Sequence, residues 1–148
     1  MYEAMRLLGS DCCDHPKDNE NHLFGCNPET GFDCSGLVVY VLTQARVPVP
    51  KEVRHTSEFF DHFGVFVHKY RAGDLVFFSK EGKAPIHMGI MINDTEYIHS
   101  PGRNGTKVSI AKMKREPIPY QRDDQIYLEN PIGFKAPTIF RNRWQQIV

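Results

Sequence analysis

The sequence has no excess of charge of either sign and no long apolar run. Its 148 residues carry 18 Lys and Arg against 18 Asp and Glu, so the formal net charge is zero. General nucleic-acid binders and proteins of anionic membrane surfaces show a basic excess, and the balanced charge argues against both classes. No apolar run approaches the roughly 20 residues of a membrane-spanning helix. We therefore expect neither nucleic acid nor a membrane span.

The chain also shows no internal repeat and no low-complexity tract. Hydrophobic residues make up 41% and aromatic residues 11%, enough for one packed core, and the length fits one domain over residues 1–148. Residues 1–9 are predicted to form a short amphipathic helix. They lack the basic start and long apolar middle of a signal peptide, so no leader is expected in this chain.

The most informative stretch is residues 31–40, in which Cys34 stands between Asp33 and Ser35. Helix formers follow to about Arg46, and Asp is a favoured N-cap, so we predict Cys34 in the first turn of a helix. The partial positive charge at that end stabilises an anion and biases a thiol toward thiolate, the form that attacks. Residues at helical spacing should pack this helix against a sheet, namely Leu37, Val38, Val41 and Leu42.

Two histidines downstream supply the base that a nucleophilic cysteine needs. His87 lies in the apolar run 86–92 and His99 in the run 96–101, and both runs are predicted as strands. The turn-like residues 93–95 join them into a hairpin that brings the imidazoles side by side. We predict that His87 takes the Cys34 proton and that His99 orients the His87 ring.

The remaining elements surround these strands. A buried strand is predicted up to Ser79, with Asp74 capping the turn before it through backbone N–H groups. A short helix is predicted over 55–63, with its aromatic residues in the core. Further strands are predicted over 107–110 and 137–141, separated by a long ordered loop over 112–130.

Four pieces of the chain together resemble the NlpC/P60 papain-like cysteine peptidases of bacterial cell walls. They are residues 33–38, 73–78, 87–90 and 97–100, and their order and spacing fit the family as well as their identities do. The resemblance covers roughly residues 22–112. It implies an α+β, papain-like fold: a central antiparallel sheet with helices packed on it and the catalytic cysteine at a helix N-terminus.

The resemblance implies a cysteine endopeptidase that cuts peptidoglycan stem peptides between γ-D-glutamate and a diamino acid. Cys34, His87 and His99 form the implied triad, and no cofactor or metal is implied. Asp33 and Ser35 would bind the free amino end of the stem peptide, although Asp33 has helix capping as an equal alternative. His22 stands where the family has a pocket-shaping tyrosine, so it joins the substrate-binding candidates.

Two other functions stay open at this point. The same triad could serve an amidase or acyltransferase on another amide, or the domain could be a catalytically silent cell-wall-binding module. Relatives with transferase activity often place the histidine before the cysteine, and here Cys34 precedes His87. That order favours the peptidase. The site of action is expected to be the cell wall, or the cytoplasm if the substrate is a recycled muropeptide, and the oligomeric state is undetermined.

An insertion-like loop over about residues 10–22 is rich in possible metal ligands. Together with the following residues it holds Cys12, Cys13, His15, His22 and Cys26. Their softness would suit zinc, yet their spacing matches no standard zinc module. A Cys13–Cys26 disulfide is a second possibility, and free thiols in a surface insertion are the third and favoured one.

Overall fold

The computed structural model describes residues 2–12, 26–28, 30–79, 84–101, 106–113 and 131–137. Three helices run along the chain in this order: α1 (Tyr2–Met5), α2 (Cys34–Gln44) and α3 (Thr56–His62). The strands are β1 (Cys26–Asn27), β2 (Gly31–Phe32), β3 (Val65–Phe66), β4 (Leu75–Ser79), β5 (Pro85–Met91), β6 (Glu96–His99), β7 (Ser109–Lys112) and β8 (Pro131–Ala136).

Six of these strands form one antiparallel sheet in the order β3-β8-β4-β5-β6-β7. Consecutive strands β4 to β7 are neighbours because short connections favour antiparallel pairing of sequence neighbours. The predicted α+β fold with a central antiparallel sheet and helices packed on it is confirmed. No helix in the described part of the chain has the length and hydropathy to cross a membrane.

Helix α2 packs on this sheet through the residues that the sequence pattern selected. Its apolar positions Leu37, Val38, Val41 and Leu42 are fully buried. They join one hydrophobic cluster with the sheet residues Leu75, Phe77, Met88, Ile90 and Ile98. Burial of this helical face contributes roughly 2 kcal/mol for each such side chain, so the helix that begins at Cys34 is firmly anchored.

The residues just before Cys34 are tied to distant parts of the chain. The Phe32 amide donates to the Asp11 carbonyl at 3.0 Å, and the Ser100 hydroxyl donates to the Phe32 carbonyl at 2.6 Å. The Cys12 amide in turn donates to the Thr106 carbonyl at 3.1 Å. Ser100 directly follows His99, and Phe32 directly precedes the residue before Cys34. The Ser100–Phe32 hydrogen bond therefore holds the end of β6 close to the start of the helix that Cys34 begins.

Several sequence predictions for individual elements are confirmed. Helix α3 occupies the predicted span, and its Phe59 is buried in the core. The Asp74 carboxylate accepts a hydrogen bond from the Arg71 amide at 2.8 Å, which is the predicted turn capping. Strand β7 lies two residues later than predicted, and the helix predicted over 1–9 is helical over Tyr2–Met5 with turns after it.

The sequence analysis did not predict the last strand that the structure describes, Pro131–Ala136. A strand was predicted over 137–141, where Pro137 is a bend and the other four residues lie outside the described part of the chain. The observed β8 comes earlier and lies inside the sheet, between β3 and β4. Its Pro131 and Gly133 resemble turn residues, but Pro131 is the first strand residue and Gly133 faces the Phe60 and Phe66 rings. The long loop predicted over 112–130 lies mostly outside the described residues.

Candidate active site

Cys34 is the first residue of α2 and only 2% of its surface is exposed. Asp33 is the N-cap residue, with extended backbone angles, and its carboxylate accepts a 2.6 Å hydrogen bond from the Gly36 amide. The capping role that the sequence left open for Asp33 is therefore present. The other first-turn amides have no partner within the helix, so this end can steady negative charge.

A buried arginine encloses the residues on both sides of Cys34. Arg54 is 3% exposed, and its guanidinium donates to both carboxylate oxygens of Asp33, at 2.9 Å and 3.2 Å. It also donates to the Ser35 hydroxyl at 3.0 Å. The paired N–H groups of a guanidinium match a carboxylate in this two-bond geometry. This residue was not among the sequence candidates, because a single arginine between Val53 and a helix start forms no pattern.

Thr56 lies in direct contact with the candidate nucleophile. Its Oγ1 is 3.4 Å from the Cys34 Sγ, and only 5% of Thr56 is exposed. Thr56 is the first residue of α3, two positions after Arg54. The sequence analysis missed it as well, since nothing local indicates that residues 22 positions apart meet.

The structure brings His87 and His99 together across the β5–β6 hairpin. The His87 Nε2 lies 2.8 Å from the His99 Nδ1, with the two ring planes at 88°. Each residue is 3% exposed. A hydrogen bond between two imidazoles needs one ring nitrogen to donate and the other to accept, so the pair shares a single proton at this contact.

Gly89 makes room for that contact. It lies on the same face of β5 as His87 and opposite His99 in the hairpin register that pairs Ile90 with Ile98. A Cβ at Gly89 would lie 3.3 Å from the His99 Cβ and 2.8 Å from the Ile98 carbonyl oxygen. The absence of a side chain therefore lets β6 and His99 approach His87 closely.

The histidine pair sits among aromatic rings. The ring of His87 lies 6.0 Å from that of Phe78, and the ring of His99 lies 5.2 Å from that of Tyr97, measured between centroids. This burial lowers the pKa of His99 from 6.5 to about 4, because a charged imidazole is poorly solvated there. His99 is consequently neutral at pH 7.

The helix that begins at Cys34 and the strand that carries His87 pack against each other. Helix α2 contacts β5, and α3 contacts β5 as well. The three predicted catalytic residues therefore belong to two packed units, one carrying Cys34 and the other carrying His87 and His99. The Ser100–Phe32 hydrogen bond is a second link between these units.

The other sequence candidates are placed less fully. Asp33 and Ser35 are both completely buried beside Arg54, and His22 lies outside the described residues.

Within the described ranges, Cys12 and Cys34 form no disulfide, and no group of three or more His, Cys, Asp or Glu side chains could hold a metal. Cys13 and His15 are outside those ranges. Three further histidines lie away from the His87–His99 pair: His55 is the N-cap residue of α3, and His62 and His68 are exposed.

The model of the NlpC/P60 family matches residues 19–124, which include the helix of Cys34 and both histidine strands. The chain belongs to the NlpC/P60 family. The resemblance drawn from four short pieces of sequence is thereby confirmed over most of the chain.

Two curated bacterial relatives contain a matching region. Murein DD-endopeptidase MepH of Escherichia coli K12 is 31% identical over 94 residues, which are 62% of this chain and 34% of MepH. The bifunctional muramidase/DL-endopeptidase CwlT of Bacillus subtilis 168 is 38% identical over 92 residues, 61% of this chain and 26% of CwlT. The match thus spans about a third or less of these relatives' own length.

Solved structures show the same NlpC/P60 fold. The NlpC/P60 domain of the peptidoglycan hydrolase SagA superimposes with a TM-score of 0.60 at 24% identity, covering 91% of this chain and 93% of that one. RipD of Mycobacterium tuberculosis, described as a non-catalytic NlpC/P60 domain protein adapted to peptidoglycan binding, superimposes with a TM-score of 0.56 at 16% identity. This superposition covers 91% of this chain and 92% of the RipD chain. The fold alone therefore does not decide between catalysis and binding.

Proposed function

We propose that this NlpC/P60 domain is a cysteine endopeptidase that hydrolyses peptidoglycan stem peptides. Cys34 is the nucleophile, His87 the general base and His99 the residue that orients His87. The observation that carries the proposal is the buried His87–His99 pair on a hairpin that packs against the helix beginning at Cys34. A silent binding module needs neither this buried histidine pair nor a cysteine at a capped helix start.

The hydrogen bond of the histidine pair determines which nitrogen is available as base. His87 uses Nε2 toward His99, which leaves Nδ1 as the ring atom for the cysteine proton. His99 is neutral at pH 7 because burial lowers its pKa to about 4. When His87 is protonated, both of its nitrogens carry hydrogen, and the neutral Nδ1 of His99 accepts the Nε2–H. His99 thus fixes the tautomer and stabilises the imidazolium.

The reaction follows from these roles. His87 Nδ1 takes the Cys34 proton, and the thiolate attacks the carbonyl carbon of the scissile amide. Backbone N–H groups at the start of α2, including that of Cys34, steady the oxyanion. The C–N bond then breaks, the leaving amine takes the proton from His87, and a thioester on Cys34 remains. Water then attacks the thioester carbonyl carbon while His87 takes its proton, the C–S bond breaks to release the carboxylic acid, and the proton on His87 returns to the sulfur.

The proposed scissile bond joins γ-D-glutamate to the diamino acid of the stem peptide. The names of the relatives divide between a DD- and a DL-endopeptidase; the higher identity to CwlT favours the latter class. Asp33 and Ser35 are proposed to bind the free amino end, and His22 is proposed to shape the substrate pocket. Since Asp33 already holds Arg54 and the Gly36 amide, a substrate ammonium would join them around the same carboxylate.

Digestion of purified muropeptides tests this proposal. The chain is incubated with a free stem tetrapeptide, with a disaccharide tetrapeptide monomer and with a cross-linked dimer, and product masses are measured by mass spectrometry. Cleavage of the free tetrapeptide between D-glutamate and the diamino acid is expected, with slower cleavage of the disaccharide monomer, whose L-Ala nitrogen is acylated and offers no free amino end. Cleavage of the dimer cross-link alone would instead indicate a DD-endopeptidase, and products with an intact stem would indicate an amidase or a transferase.

Matched cysteine variants complete the test. Cys34→Ala should abolish product, whereas Cys12→Ala, which removes the other described free thiol, should retain it. Equal product from the parent and Cys34→Ala would end the hydrolase proposal. If the parent forms no product yet retains bound peptidoglycan in a pull-down assay, the silent binding module becomes the better account.

A further inference from the structure

Two tripeptides from different parts of the chain face each other at the nucleophile. Residues 33–35 contribute Asp33, Cys34 and Ser35, and residues 54–56 contribute Arg54 and Thr56. The flanking residues Asp33 and Ser35 are both bonded to Arg54, and the central Cys34 meets Thr56. The Asp33–Arg54 ion pair joins the two segments. It therefore holds the Thr56 hydroxyl in a fixed position next to the Cys34 sulfur.

The Thr56 hydroxyl has one hydrogen-bond partner among the described residues, the sulfur of Cys34, at 3.4 Å. Thr56 is almost fully buried, and a buried hydroxyl is costly to leave unbonded. An O–H group is a better donor than a thiol S–H. When the sulfur is a thiolate it carries no hydrogen, so the donor in this contact must be Thr56.

We propose that Thr56 is a further catalytic residue, whose hydroxyl donates a hydrogen bond to the Cys34 sulfur and stabilises it as the attacking thiolate. The inference rests on the proposed function, in which Cys34 is the nucleophile. A hydrogen bond to an ionised acceptor is roughly twice as strong as one between neutral groups. The contact is therefore stronger with the thiolate than with the neutral thiol.

The position of Thr56 is set at both ends of α3. At the start, Arg54 joins the segment to Asp33. At the end, the Lys135 ammonium, itself buried, donates to the Phe59 and Phe60 carbonyls at 3.2 Å and 2.6 Å. Cations at a helix C-terminus are stabilising because they satisfy the last carbonyls. Arg54 and Lys135 act here as positioning residues, since they fix the two ends of the helix that carries Thr56.

Alkylation of Cys34 tests the proposal without any peptidoglycan. The rate of reaction with iodoacetamide is measured from pH 5 to 10 by mass spectrometry of the Cys34 peptide, in the parent, Thr56→Val and Thr56→Ser. Thr56→Val keeps the shape and removes the hydroxyl, so at pH 7 its rate should fall roughly tenfold. At high pH, where the thiol is fully ionised in both proteins, the rates should converge. Thr56→Ser restores the donor and should restore the neutral-pH rate.

Thr43→Val is the matched control, because the Thr43 hydroxyl donates to the Val39 carbonyl at 2.7 Å on an exposed part of α2. It should leave the alkylation profile of Cys34 unchanged. A Thr56→Val profile equal to that of the parent overturns the proposal, as does a loss of equal size at every pH, which would indicate a steric role. A clear Thr56 effect in a protein that cleaves no muropeptide would instead refute the proposed function and leave the hydrogen bond standing.

Discussion

The His87 Nε2 is hydrogen-bonded to the His99 Nδ1 at 2.8 Å, and this bond leaves His87 with one ring nitrogen for proton transfer. The geometry makes His99 a neutral acceptor rather than a second base, since burial lowers the pKa of His99 to about 4. In the proposed mechanism His87 therefore moves the proton, and His99 holds the His87 ring in place.

Substitution of His99 should therefore cost less than substitution of His87. His99→Asn supplies a side-chain carbonyl that can still accept from His87, so we expect about a tenfold loss of kcat with little change in KM. His99→Ala supplies no acceptor and should lose roughly a hundredfold. Steady-state cleavage of the free stem tetrapeptide measures both. A His99→Ala variant as inactive as His87→Ala would contradict the assigned roles.

Protein stability should depend on pH through His99. The pKa of this imidazole is about 4 in the folded chain and 6.5 as an unperturbed group, so between these values the unfolded chain binds a proton that the folded chain does not. The stability contribution of neutral His99 is fully present above about pH 6.5. It is lost as the pH falls toward 4, by about 3 kcal/mol in total.

Urea unfolding of the parent and of His99→Asn at pH 7, 6 and 5 measures this dependence. The difference in unfolding free energy between the two proteins should shift in favour of the variant as the pH falls, because asparagine has no proton to bind. A constant difference over this range would show that His99 does not titrate as described.

Gly89 should tolerate no side chain. A Cβ there would lie 2.8 Å from the Ile98 carbonyl oxygen and 3.0 Å from the Tyr97 ring, and backbone on a neighbouring strand cannot move away cheaply. Gly89→Ala is expected to destabilise the fold by about 1–3 kcal/mol and to reduce activity by displacing His99. The thermal midpoint and kcat report the two effects. Gly133→Ala, whose Cβ would meet only ring atoms at 3.6 Å or more, is the matched control and should be tolerated better.

Removing only Arg54 from the Asp33–Arg54 ion pair should lower the unfolding free energy more than replacing both residues. Arg54→Met leaves a buried carboxylate without its guanidinium and is expected to cost about 3 kcal/mol or more of unfolding free energy. Arg54→Lys cannot reproduce the two-bond geometry and should rescue little. The double variant Asp33→Asn/Arg54→Met should be more stable than Arg54→Met alone. The opposite order in urea unfolding would show that the ion pair is unimportant for the cap.

The sequence predicts the parts of this molecule that have local signals. The Asp33 cap, the apolar face of α2 and the two strands around a short turn each leave a pattern within a dozen residues. Arg54 and Thr56 leave none, because their importance comes from contacts with residues about 20 positions away. The strand Pro131–Ala136 was missed for a related reason, since its proline and glycine are tolerated by tertiary packing that no local pattern reveals.

The strands β1, β2 and β3 have two residues each, too few for any periodicity to show. They still matter for the site, because β2 carries the backbone that receives the hydrogen bond from Ser100. Short strands of this kind are defined by their partners and not by their own sequence.

A double-mutant cycle on Cys34 and His87 tests the central claim most directly. Muropeptide hydrolysis is measured for the parent, Cys34→Ala, His87→Ala and the double variant. If the two residues act as one unit, each single variant should lose roughly a thousandfold or more and the double variant should lose no more than either single one. Losses that multiply in the double variant, or a His87→Ala variant within tenfold of the parent, would contradict the account.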